Sequence, residues 1–311
     1  MTDDGYRKLL ELETTPEALE AAVQYLARRM QPFLQPVEPV LICFPNEGPK
    51  SLGGIFTEAV RRCEGEPVAF GPDYRWKKLL RTAFQSHAST VIGPPSVILG
   101  LMKLARATAT PLYIYDVIAC GDPFAHWMVE SMKKGLDCRI WGCYAIRSGP
   151  VIAGFSCEQE AGIHIREDVL TPTVQSQTGE ETFGVKRGWL SFVSVKDPGV
   201  VYDPQENAVV YYNSCSCGND EPRVVEANSS EKDDLSRMMT EDQFLAWSSI
   251  LDYRARLTEY GIDLELVVFP GESLPKIPSC AKLTVRPWDP ERDIPFYITD
   301  NFLKIPEKFW Q

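Results

Sequence analysis

Four side chains of this 311-residue chain have the types and spacing that suit a metal ion. Cys157 is followed after six residues by His164, and fifty residues later Cys215 and Cys217 stand one residue apart. Thiolates and imidazole are the donors zinc prefers, and four of them with no spare position describe a closed tetrahedral site of the structural kind. In Cys215-Ser-Cys-Gly218 two thiols share a tight turn, with glycine supplying the backbone freedom such a knuckle needs. Both pairs fall in polar, loop-like sequence, where a merely buried thiol is less expected than a ligand. Three sulfurs and a histidine are a rarer set for an iron–sulfur cluster. The spacing predicts one structural Zn²⁺ that pins the loop after one strand to the loop after another.

A second constellation points to a ligand pocket. Gly121-Asp122-Pro123 joins a strand to the following helix, where open α/β sheets hold their ligands. About twenty residues on, Trp141-Gly142 is expected to end the next strand. Together they could form the floor and wall of a pocket for a flat ring, although a plain turn beside a core tryptophan fits the same residues equally well. Gly48-Pro49-Lys50-Ser51 lacks the first glycine of a phosphate loop and carries a proline that removes a donor, so it reads as a helix entry. The hydrolase elbow, the H-E-x-x-H helix and the dinucleotide fingerprint are absent from the sequence. His87 and His126 read as surface or capping histidines rather than catalytic bases.

The elements that must position these residues form a regular series from Val37 onward. Short apolar runs at 39–43, 68–70, 90–92, 112–117 and 138–141 read as strands. Helical stretches lie between them, at about 50–64, 74–86, 94–106 and 123–135. Strands apolar on both faces, alternating with helices, predict a mostly parallel sheet layered with helices. Two helices at 4–12 and 15–30 precede it, the second opened by Thr15-Pro16. After Gly149 the runs 151–155, 189–195, 200–202 and 209–212 predict a smaller antiparallel β region. Residues 226–234 read as a linker, and a helix at 240–258 with strands at 264–269 and 281–286 predicts a small α+β tail. The expected fold class is α/β, with domains at 1–225 and 226–311.

Composition bounds the partners. The formal net charge of -11 opposes nucleic acid and anionic membranes. Neither a signal sequence nor a run of about 18 apolar residues is seen, so a cytoplasmic protein is expected. Its nine cysteines are thinly spread, which favours thiols over disulfides. Cys43, Cys63, Cys120, Cys138, Cys143 and Cys280 read as small apolar residues.

In order, these segments resemble the adenylate-forming acyl-CoA ligases, of the phenylacetate-CoA ligase and coenzyme F390 synthetase type. Gly53-Gly54 and Thr90-Val-Ile-Gly-Pro-Pro-Ser96 look like the family's path through its central sheet. Gly121-Asp122-Pro123 looks like its adenine-lining G-E-P, and Trp141-Gly142 like the start of Y-G-x-T-E. Cys157 with Gly162-Ile-His-Ile-Arg-Glu-Asp168 and Cys215-Ser-Cys-Gly218 resemble its G-x-H-x-x-E-D and C-x-C-G segments. The resemblance covers about 38–225 and implies ATP or AMP, Mg²⁺ and CoA as cofactors. It places Gly121, Asp122, Pro123, Trp141, Gly142 and Glu206 at a nucleotide, with Glu206 replacing the ribose-binding aspartate.

The departures lie in the catalytic parts. A Ser/Thr/Gly-rich phosphate loop upstream of the sheet is missing, and Ala145 stands where the family has its Mg²⁺-holding acid. The arginine of R-Y-x-x-G-D is lost at Val201, and the hinge G-R-x-D-D appears as Ser230-Glu-Lys-Asp-Asp234. The tail lysines Lys276, Lys282 and Lys304 include no assignable catalytic one. Losing the triphosphate cradle and a Mg²⁺ carboxylate removes most of the electrostatic stabilisation the reaction needs. The reading is an acyl-CoA ligase-like protein impaired in ordinary ATP-dependent ligation. The resemblance leaves room for a homodimer, common among relatives, or for a partner chain that supplies the phosphate loop. The alternatives are a non-catalytic nucleotide-, acyl- or CoA-binding scaffold subunit and an acyl-protein synthetase-like transferase. No catalytic residue is assigned.

Overall fold

The computed structural model describes residues 15–46, 48–71, 73–121, 126–146, 151–159, 162–175, 184–229, 246–258, 261–272, 274 and 282–297. The helix expected at 4–12 lies outside them. Helix α1 (Pro16–Met30) starts as expected, with the Thr15 hydroxyl accepting from the Ala18 N–H and Pro16 in the first turn. Then come β1 (Pro39–Ile42), α2 (Leu52–Arg62), β2 (Glu66–Ala69), α3 (Trp76–Gln85), β3 (Thr90–Gly93), α4 (Pro95–Ala107), β4 (Asp116–Cys120), α5 (His126–Leu136) and β5 (Arg139–Ile146).

These five strands run parallel in the order β2-β1-β3-β4-β5. The step from β1 to β2 goes one way and every later step goes the other. Right-handed crossovers therefore put α2 on one face and α3, α4 and α5 on the opposite one. The two apolar clusters divide accordingly: α1 and α2 pack with Val40, Ile42 and Ile118, while α3, α4 and α5 pack with Leu41, Val91 and Val117. Adjacent residues of one strand thus enter different cores, which is why these strands read as unbroken apolar runs.

The expected antiparallel strands are present and continue the same sheet, around an apolar cluster of their own. β6 (Val151–Ser156) pairs antiparallel with β5, and β7 (Ile163–Ile165), β11 (Arg223–Ser229), β10 (Val201–Tyr211), β9 (Val185–Ser194) and β8 (Leu170–Gln175) continue one eleven-stranded sheet. The runs at 200–202 and 209–212 are a single strand, β10, interrupted by a register shift between Tyr202 and Glu206. The first part of the expected linker, 226–229, belongs to β11, because main-chain pairing to β10 stabilises a strand there without core side chains. Residues 230–234 lie outside the described set.

Beyond it, 250–258 is a strand and not the expected helix. β12 (Ile250–Thr258), β13 (Gly261–Val268) and β14 (Lys282–Pro287) make a three-stranded sheet. The helical spacing of Trp247, Ile250 and Leu251 misled, since polar Asp252, Arg254 and Arg256 alternate at the period of a strand. Register is fixed by Arg254 opposite Glu265, their side chains 2.5 Å apart, with Arg286 of β14 on the same carboxylate at 3.0 Å.

This sheet shares the core of α3 and α4 through Leu251, Val267, Phe269 and Phe296. Helix α4 is consequently apolar nearly all round, sandwiched between two sheets. Its half-buried Lys103 donates to the Ile250 carbonyl at 2.8 Å. Nearby Asp252 accepts from the Tyr253 and Phe296 N–H groups. Burial lowers the Lys103 amine to about 7, opposed by the charge of Asp252. Burial likewise raises the Asp252 carboxyl to about 7, against those two hydrogen bonds and Lys103. Among the described residues, no helix is long and apolar enough to cross a membrane.

Two outcomes follow from these elements. Val37 is 78% exposed and sits at φ 54, a left-handed conformation that a β-branched residue strongly resists. Val37→Gly should raise stability by about 1 kcal/mol, read as a higher Tm. For Asp252 the folded state keeps its proton to about pH 7 and the unfolded chain only to about pH 4, so its contribution falls between those values. For Lys103 the folded amine gives up its proton near 7 and the unfolded one near 10.5, so its contribution recovers above pH 7. Urea melts of Lys103→Met from pH 5 to 9 should retain the fall and lose the recovery.

Candidate functional site: a four-ligand centre beside the sheet

The four predicted metal ligands meet. Cys157 follows the end of β6, His164 is the central residue of β7, and Cys215 and Cys217 lie in the loop from β10 to β11. Because β7 lies between β6 and β11, three segments distant in sequence reach one point. The loop is a closed turn: the Gly218 N–H donates to the Cys215 carbonyl at 2.9 Å, and the Cys215 N–H to the Asn219 carbonyl at 2.9 Å. Gly218 has φ +85, the left-handed conformation expected of the knuckle.

The donor atoms all lie within 4.8 Å of one another. The Cys157 and Cys215 sulfurs are 3.8 Å apart, and Cys217 Sγ is 3.5 Å from His164 Nε2. A tetrahedral zinc with its usual bond lengths sets sulfurs about 3.8 Å apart and sulfur and nitrogen about 3.5 Å apart. The spacing is too long for a disulfide.

Electrostatics suit a cation. Burial, helped by the positive charge of Arg29, lowers the His164 imidazole and keeps it in the neutral, ligating form. Burial resists ionisation of Cys215, yet hydrogen bonds from the Cys217 backbone and from the Cys217 and Cys157 thiols outweigh it, and Arg223 adds to them. Cys217 shifts the other way, through burial and then its neighbouring thiols. Without a cation, one thiolate is favoured and the next opposed.

A shell of ion pairs supports the loop. Arg29 of α1 reaches Glu221 at 2.5 Å, and that carboxylate also accepts from Asn219 Nδ2 at 2.7 Å. The Arg29 and Arg166 guanidiniums both lie over the Tyr25 ring, 5.1 and 4.9 Å from its centroid. Buried Arg166 donates to the Ile152 carbonyl and to both oxygens of Asp168. Arg166 and Asp168, noted in sequence as part of one motif with His164, thus pair with each other just beyond the end of β7.

The second constellation is only partly assembled. Gly121 ends β4 as expected, at φ +96, while Asp122 and Pro123 lie outside the described residues. Trp141 and Gly142 sit within β5, which continues to Ile146 because it has partners along both edges. Trp141 cannot offer its face to a ligand: it stacks on Phe33 at 4.2 Å, Arg139 lies 5.8 Å from its ring, and its N–H donates to buried Asp116. The core-tryptophan reading fits. Gly142 gives its N–H to Ser156 Oγ. Glu206 lies in β10 at the register shift, its side chain outside the described set.

Other residues fall where expected. Ser51 caps α2, accepting from the Gly54 N–H and donating to the Gly48 carbonyl, so this helix entry is closed by the chain itself. His87 is an exposed left-handed cap after α3.

Sequence reasoning missed the sheet's switch point. In the order 2-1-3-4-5, the chain leaves β1 and β3 in opposite directions, which puts a topological switch point, where open α/β sheets hold their ligands, at their carboxyl ends. It is reached by Phe44, after β1, and by Gly93 at the end of β3. Strand order, the only signal for it, is not written in the sequence.

No family model matches the chain, and no curated protein matches it significantly. Solved structures do. 2-Hydroxyisobutyryl-CoA ligase in the postadenylation state, in complex with R3-HIB-AMP, superposes with a TM-score of 0.62 at 14% identity, over 90% of this chain and 68% of that one. An open conformation of that ligase, with 2-HIB-AMP and CoA, gives 0.57 at 14% identity, over 81% and 60%. A benzoate-CoA ligase from Burkholderia xenovorans gives 0.53 at 9% identity, over 86% and 62%. This chain therefore has the fold of the adenylate-forming CoA ligases and spans 60% of the length of the second of these structures.

Trp141→Phe should keep the ring stacking and strip buried Asp116 of a donor. The expected loss is about 2 kcal/mol by chemical denaturation.

Proposed function

We propose that this chain is an acyl-CoA ligase-like protein of the phenylacetate-CoA ligase type. It holds one structural zinc on Cys157, His164, Cys215 and Cys217, and it binds an adenine nucleotide, acyl or CoA group at the carboxyl ends of the parallel strands. The observation that carries the reading is the convergence of those four donors, at tetrahedral spacing, on a chain with this fold. The ion would supply cross-linking rather than chemistry, since four protein ligands leave no open position for substrate. It would hold the ends of β6 and β10 against β7 and, through Glu221 and Arg29, keep α1 on the sheet.

Ligation is a weaker expectation than binding. Ala145, where the family has an acid, lies in β5 opposite Ile152 and packs in the apolar core beside α1 and α2. An alanine offers no charge to a magnesium–phosphate group. A binding or scaffold subunit fits that substitution, and nucleotide binding without pyrophosphate release is its signature.

Protein purified without chelator should carry about one zinc per chain by elemental analysis, and Cys215→Ser should lose both the ion and several degrees of Tm. A wild type without metal overturns the zinc centre. For the ligand, AMP, ATP or CoA should raise Tm by mass action. No shift with any of them overturns the pocket. Pyrophosphate release with aryl or short-chain acids would restore a full ligase.

A further inference from the structure

The switch-point crevice is not open. Gly121 follows β4 at φ +96, and a Cβ there would overlap the hydroxyl of Tyr297 and lie 3.3 Å from the Phe44 ring. Tyr297 meets Phe44 edge-on, with centroids 6.5 Å apart and planes at 64°. It packs against the apolar clusters on both faces of the parallel sheet, which places it at the strand ends. We propose that Tyr297 is a tethered plug, which a ligand must displace to enter the crevice at the ends of β1, β3 and β4. The proposal rests on the reading that a nucleotide or related group binds there.

The preceding residues are built as a latch. The Asp293 carbonyl accepts from the Trp76 N–H, at the start of α3. The Asp293 side chain takes Arg286 at 2.6 Å and the Asp289 N–H at 2.6 Å. Three residues on, the Phe296 N–H donates to buried Asp252 at 2.8 Å. The Phe296 ring is 3% exposed, with the Arg254 guanidinium 4.7 Å from its centroid. Two buried anchors three residues apart fix the chain direction at Tyr297, the next residue. The contact at Gly121 is thereby delivered by the C-terminal sheet.

A tethered plug weakens apparent affinity in proportion to the time it spends seated. Removing it should tighten binding without altering the crevice. AMP titrated calorimetrically into the full chain is the probe. Tyr297→Ala should bind AMP about tenfold or more tightly than wild type, and Tyr297→Trp more weakly than wild type. Tyr297→Leu keeps apolar bulk against Phe44 and removes the hydroxyl from Gly121. It should tighten binding by a smaller factor, and it serves if the alanine variant does not fold by circular dichroism. Equal affinity in wild type and the folded variants overturns the plug and leaves the crevice intact. Weaker binding by Tyr297→Ala makes the ring part of the ligand's wall and also overturns it. No AMP binding by any variant removes the nucleotide reading, and the plug with it.

Discussion

Strand β5 belongs to two ladders at once, and both sites depend on that. Along one edge it pairs parallel with β4, the strand that Gly121 follows. Along the other it pairs antiparallel with β6, and this change of direction brings β7 and then β11 into the same sheet. Main-chain groups buried without partners are costly, so a strand with two apolar faces must find a neighbour on each edge. The pairing of β6 with β7, and of β7 with β11, then sets Cys157 and His164 beside Cys215.

The antiparallel half relies on polar joints where the parallel half relies on apolar packing. Around the four-ligand loop, α1 is tied to the sheet by the Arg29–Glu221 ion pair and by the Arg166 guanidinium over the Tyr25 ring, with Asp168 holding Arg166. Such groups cost desolvation and gain little net stability, but broken singly they are expensive, so they favour one arrangement over near alternatives. Lys103 and Asp252 act similarly where the three-stranded sheet meets α4. The proposed ion is thus set in a polar joint of the eleven-stranded sheet, and the latch at Phe296 in one belonging to the three-stranded sheet.

Periodicity made much of the parallel half legible. The runs at 39–43 and 90–92 and the helices between them are present within a few residues, because burial on both faces leaves an unmistakable apolar signature. The strand expected at 112–117 is instead Asp116–Cys120: Tyr113 and Tyr115 are apolar in type but exposed. The short strands β7 and β8 went unnoticed, since three to six residues carry too little pattern, and β7 buries a histidine between its two isoleucines. The helix expected across 250–258 failed for a related reason, two or three apolar residues matching the wrong period.

The sequence by itself determined the ligand chemistry. Four donors of zinc-preferring type, a glycine at the knuckle, and an α/β alternation are local properties, fixed by side-chain identity and by spacing along a chain whose backbone has few choices. Tertiary structure alone decided what those residues face. Trp141 became a core residue because Phe33, far away along the sequence, stacks on it, and Tyr297 came to lie on Gly121 because a distant sheet docks on α4. Strand order and docking are set by which buried surfaces fit across long sequence separations, and spacing along one chain holds no record of that.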